Sequence, residues 1–157
     1  KCSDLCHKNS NDCPKKVKEC RKLIPQPGDY HLMKNEGSLK NKSYRYTCKE
    51  VETKIFNDNS GIVKTELIKK CPKNYYKGSM VVDPGNTFHF YRLNNKGTWS
   101  HKPGTLPVSN LDSDKNIIYT PHTANRNYSK PKDKDPINYT NFCGYYCIPK
   151  NKKRKAT

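Results

Sequence analysis

The sequence predicts a small α+β domain: a central antiparallel β meander with one or two short helices, long loops and disulfide clips. Residues 79–104 carry the strongest signal. There, apolar alternation is interrupted by a Pro84-Gly85-Asn86 turn and a second turn over 94–97, the pattern of three sequential strands at 79–83, 87–93 and 98–102. The second observation is Thr47 followed three positions later by Glu50, a capping box that opens a helix with Val51 and Ile55 at i, i+4 spacing. The third is eight cysteines in a 157-residue chain that is only 32% hydrophobic, with a mean hydropathy of −1.10. So little apolar surface cannot hold long loops by burial, and cross-links are the natural substitute.

In chain order, residues 1–45 form a Cys-rich, basic N-terminal segment, residues 46–149 the α+β core and residues 150–157 a basic, solvated tail. This length suits one domain with appendages. Residues 14–24 read as a short helix with Pro14 in its first turn, ended by Pro25, Pro27 and Gly28, and residues 29–45 as polar loop. The capped helix runs from 47 to 57, where Asn59-Ser60-Gly61 breaks it. Residues 62–68 fit strand and helix equally. Past the meander, 109–116 is loop, 116–120 a short strand and 121–140 too polar for a core. Residues 138–149 bring Tyr139, Phe142, Tyr145, Tyr146 and Ile148 together with Cys143 and Cys147, a final strand or clip folded back on the domain.

Within 87–93, alternation puts Phe88, Phe90 and Arg92 on one face and Thr87, His89, Tyr91 and Leu93 on the other. The two phenylalanines define the expected core face, so His89 points to the opposite side, toward a possible cleft. His101 follows twelve residues later, and a turn centred near Asn95 places the two imidazoles on adjacent strands within reach of each other. The plainer reading is a packing histidine at 89, a turn-bracing His101 and Trp99 as core anchor.

Charge narrows the partners. Lys and Arg total 31 against 14 acidic residues, a net +17, but residues 77–121 hold five basic against three acidic and residues 130–157 eight against two. The basicity therefore sits on the flanks, a field that favours acidic proteins, anionic glycans or nucleic acid. Only five of the 31 are Arg, the residue that reads guanine edges, so nucleic-acid binding would be nonspecific. Eleven tyrosines among basic loops can stack bases, but more commonly pack such loops onto a small core. No run approaches the ~18 apolar residues of a membrane span.

The cysteines at 2, 6, 13, 20, 48, 71, 143 and 147 are an even set suited to disulfides formed in an oxidising compartment, whether secreted or in a virion. Cys48 with Cys71, and Cys143 or Cys147 with an N-terminal cysteine, are the favoured pairings. A four-sulfur zinc site from Cys2-x3-Cys6 and Cys143-x3-Cys147 competes, but lacks glycine-flanked knuckles, so neither metal nor cofactor is expected. Three sequons, at Asn41, Asn127 and Asn138, are matches that an Asn-rich chain produces by chance.

The blocks His89 to Arg92, Trp99 to Gly104 and Cys143-Gly144-Tyr145-Tyr146-Cys147 resemble a largely uncharacterised family of proteins from bacteria and large DNA viruses, over residues 11–150. Asn11-Asp12-Cys13 upstream of Gln26-Pro27-Gly28, followed by His89 and His101, is similar in order to papain-like cell-wall amidases and peptidases. That resemblance implies Cys13 as nucleophile, His89 as base and His101 as orienter. The sequence departs from it where Pro14 replaces an aromatic and a charged run follows Cys13. The expectation is therefore a non-catalytic structural or interaction protein, a minor capsid component of a large DNA virus or a secreted protein, with basic flanks docked on acidic partners. A thiol amidase or peptidase and a nonspecific nucleic-acid binder are the alternatives.

Overall fold

The computed structural model describes residues 46–150 except Thr105, together with Pro27. The expected helix at 14–24, Cys2, Cys6, Cys13, Cys20 and nearly all of the tail lie outside the described residues.

One helix and five strands follow in order: α1 (Cys48–Asp58), β1 (Val63–Thr65), β2 (Tyr75–Asp83), β3 (Thr87–Leu93), β4 (Trp99–His101) and β5 (Asn141–Pro149). The Thr47 N-cap forms as read, with its hydroxyl accepting from the Glu50 backbone N–H at 3.2 Å, while the Glu50 carboxylate accepts from Lys54 at 2.9 Å. The strands make one antiparallel sheet in the order β1-β5-β2-β3-β4, so the α+β domain is β-dominated. The expected meander is present as β2-β3-β4. In its first turn Pro84 precedes Gly85 at φ 77°, and Asn86 N–H donates to the Asp83 carbonyl at 3.0 Å. In the second, Gly97 at φ 81° lets its N–H reach the Asn94 carbonyl at 3.1 Å.

Two open readings are settled and one expectation, the strand at 116–120, is corrected. Residues 62–68 resolve into the three-residue edge strand β1. The segment 116–120 is no strand: Leu111 and Ile117 form an isolated bridge within a loop layer. Of the two readings of the closing segment, strand or clip, the strand is observed: it is β5, seated between β1 and β2. Long-range pairing of 141–149 with 75–82 is invisible to local pattern, because antiparallel neighbours need not be adjacent in sequence.

Both faces of the sheet are covered. On one, Met80, Val82 and Tyr146 pack with Val51 beneath α1, with Phe88 beside them. On the other, Val81, Tyr91, Trp99 and Tyr145 pack with Ile118 and Tyr139 from the loops between β4 and β5. A bulge in β5 makes this two-sidedness possible. Val81 pairs with Phe142 but Met80 with Gly144, so Cys143 is the extra residue. Phe142 and Tyr145, three apart, consequently face the same side, and Gly144 takes φ 139°, which a Cβ would resist.

The disulfides differ from the expected pairing. Cys48 bonds Cys143 and Cys71 bonds Cys147, each on its own side of the sheet. Cys143 is in the bulge facing α1, while Cys147, next to Lys77, faces the 66–71 loop. A zinc site that uses Cys143 and Cys147 is thereby ruled out, since both sulfurs are oxidised. The loop layer is held by polar cross-links. Asp112, buried, accepts backbone N–H groups of Asp114, Asn116 and Asn125 at 3.0, 3.0 and 3.1 Å. Arg126 donates to the carbonyls of Tyr139, Pro121 and His122 at 2.9, 2.6 and 2.9 Å. Residues 121–140, read as too polar for a core, thus supply the buried Pro121 and Tyr139.

Candidate functional site

The site begins with the alternation of β3. His89 and Tyr91 lie on the loop-covered face, and the β3–β4 register pairs Tyr91 with His101, bringing both imidazoles to one side. His89 Nε2 and His101 Nδ1 are 2.8 Å apart, so the expected proximity of the two histidines is observed. His101 Nε2 lies 3.0 Å from the Leu111 carbonyl, which can only accept. His101 is therefore protonated on Nε2 and accepts at Nδ1, and His89 donates from Nε2. One chain of hydrogen bonds thus fixes both tautomers and leaves the lone pair of His89 on Nδ1.

The rings around the pair are aromatic. Tyr139 stacks on His89 at 5.3 Å between centroids, Tyr91 meets His89 edge-on at 5.4 Å, and Tyr128 lies 6.1 Å from His101. Burial, with the neighbouring His101, lowers the pKa of His89 to about 4, and burial lowers that of His101 too, against the pull of the Leu111 carbonyl. Burial raises the phenols of Tyr91 and Tyr128, and that of Tyr139 to about 12. Both histidines are neutral at physiological pH. The Tyr91 and Tyr128 hydroxyls are buried beside each other, and no other polar group among the described residues satisfies them.

The face assignment made from sequence is half right. Phe88 packs on the Met80, Val82 and Tyr146 core as expected, but Phe90 is 37% exposed and Arg92 is exposed, and the histidine side holds a second core with Trp99 at 1% and Tyr91 at 3%. Alternation sorts residues onto two faces but does not say which one a distant segment will cover. Here loop residues such as Ile118, Tyr128 and Tyr139 pack over this side, which leaves His101 buried and His89 half-buried.

Of the three residues proposed for catalysis, the structure brings His89 and His101 together, and Cys13 lies outside the described residues. Every described cysteine is in a disulfide. Among the described residues no three His, Cys, Asp or Glu side chains converge as a metal would need. None of the described helices is long and apolar enough to cross a membrane.

A second feature escaped the sequence reading. Lys77 is 7% exposed, and its ammonium is ringed by the carbonyls of Glu66, Leu67 and Lys69. It ties the 66–69 loop to the sheet beside Cys71–Cys147. Its alternation with Ser79 and Val81 on the covered face was the available signal.

No protein-family model matches this chain, and no solved structure matches it. A stretch of 48 residues is 48% identical to Insoluble matrix shell protein 1 of Ruditapes philippinarum, covering 31% of this chain. The chain spans 32% of that relative's own length.

Proposed function

We propose that this is a non-catalytic structural protein of an extracellular matrix, a disulfide-clipped module that docks basic surface onto acidic matrix partners. The observation that carries this reading is the 48% identity over 48 residues to a protein named for an insoluble shell matrix. It favours the secreted half of the expected localisation over the virion half. The architecture supports it: two disulfides bridging 95 and 76 residues of sequence suit an oxidising exterior, and the histidines are stacked among tyrosines as packing residues. A net charge of +17 supplies the attraction to acidic partners.

Fractionation of the source tissue tests this. The protein should remain in the extracellular insoluble residue after salt washing and be released by denaturant with reductant. Recovery from the cell lysate with free thiols throughout would overturn the reading.

A second reading has one observation in its favour. The His89 tautomer, held by His101, leaves Nδ1 as the basic nitrogen, the arrangement an oriented general base requires. In this reading Cys13 is the nucleophile of a thiol amidase or peptidase. Alkylation of the unreduced protein before digestion separates the two: rapid labelling of Cys13 favours the hydrolase, and a disulfide at Cys13 removes it.

A further inference from the structure

We propose that the open half of the α1 face of the sheet is a binding groove for an anionic sugar chain, one that bears carboxylate or sulfate groups; the assignment rests on the matrix reading above. Helix α1 packs through Val51 on Met80, Val82 and Tyr146, but past Phe90 the same face is open as a groove of about 660 Å³. It is lined by Ile55, Ile62 and Ile148 together with the aromatic Phe90 and Tyr76. Register places the cations: Arg92 pairs with Ser100, so Lys102, two residues on, lies on the same side of the neighbouring chain segment.

Three observations select the ligand. First, no Asp or Glu lines the groove, whereas Arg92 and Lys102 both do. Second, Arg92 is unspent. Its guanidinium stacks on Tyr76 at 4.6 Å and, among the described residues, makes no hydrogen bond or ion pair, whereas Arg126 donates to three carbonyls. A planar fork already held against a ring is oriented for a carboxylate or sulfate, and binds it bidentately. Lys102 donates to the Gly104 carbonyl at 2.6 Å and keeps two N–H donors for a second anionic group. Third, the surface between the cations is apolar and partly aromatic. The C–H face of a pyranose ring fits such a surface while its charged substituents meet the cations at the rim. A flexible acidic peptide would meet the cations but leave the exposed Phe90 without a ring-shaped partner.

Calorimetric titration of the full, disulfide-bonded chain tests this with four probes: a hexauronate, a sulfated galactan hexamer, neutral chitohexaose and an octa-aspartate peptide. The two anionic sugars distinguish carboxylate from sulfate recognition, and binding of either, with weaker binding of the other two probes, is expected. Combining Arg92→Gln with Lys102→Gln should weaken sugar binding about tenfold or more. Lys132→Gln with Lys134→Gln, equal in charge removed but on an exposed loop, should weaken it less than about twofold. Arg92→Lys, which keeps the charge and loses the fork, gives an intermediate loss and guards against misfolding of the double variant. Equal losses in the two double variants, equal binding of chitohexaose, or tighter binding of octa-aspartate would each overturn the groove assignment. Tissue fractionation is independent of these outcomes, so a binder absent from the matrix refutes the matrix reading and leaves the groove standing.

Discussion

The two faces of the sheet carry the same kinds of side chain and have opposite fates. On the loop-covered face, Tyr91, Trp99 and His101 are buried with Ile118, Pro121 and Tyr139, and His89 is half-buried against Tyr139. On the α1 face, Phe90, Tyr76 and Arg92 lie along a groove that the eleven-residue helix is too short to close. Aromatic content therefore does not mark the core of this domain. Coverage does, and it is set by segments far away in sequence, so the α1 face is core where the helix lies over Met80, Val82 and Tyr146 and open beyond it.

The cross-links should weigh most on that contrast. Each disulfide closes a long loop, so replacing either pair by serine should cost on the order of 4–5 kcal/mol by the chain-entropy relation. The loops 48–143 and 71–147 overlap, so the two losses should sum to less than their separate values. Chemical denaturation of the paired variants measures both. Only the Cys48–Cys143 variant, which frees the start of α1, should also alter the groove.

Next come the aromatic anchors. Trp99→Ala empties a fully buried site and should cost about 3–5 kcal/mol, whereas Phe90→Ala on the open face should cost about 1 kcal/mol or less. Comparable costs in urea titrations would mean that the groove is closed in solution.

The pH dependence follows from the packed histidines. His89 is neutral in the fold with a pKa lowered to about 4, against about 6.5 in the unfolded chain. Between those values the unfolded state binds the extra proton. Stability is thus complete above pH 6.5 and falls as the pH drops toward 4, by about 3 kcal/mol once His89 is protonated in both states. His101, also lowered, adds to the fall in the same direction. Melting temperatures across this window should drop for the wild type and flatten for His89→Gln.

The smallest effect concerns the buried pair of hydroxyls. Tyr128→Phe removes a buried oxygen whose one polar neighbour is the Tyr91 hydroxyl, and should change stability by less than about 1 kcal/mol. A clear destabilisation in thermal unfolding would reveal a bound water or ligand at that hydroxyl.

What the sequence made legible is what short-range physics decides. The Thr47 cap, the Pro84-Gly85 and Gly97 turns and the closeness of His89 to His101 all depend on residues within about one hairpin of each other. The features it hid are long-range. The place of β5 inside the sheet depends on pairing across more than sixty residues, and the disulfide pairing on a one-residue bulge at Cys143 that no periodicity announces. The open groove was missed for the same reason: Phe88 and Phe90 share a face by alternation, yet α1 reaches only the first. Cys13, the residue on which the hydrolase alternative turns, lies beyond the described residues.

The packed character of the histidine face is tested most directly by nitrogen-detected NMR titration of the two imidazoles. His89 should hold its proton on Nε2 and remain neutral until the pH nears 4, with His101 fixed as the Nε2–H tautomer. A His89 that titrates near 6.5 or exchanges between tautomers would show an open imidazole, contradict the structural interior proposed here and return the chain to the hydrolases.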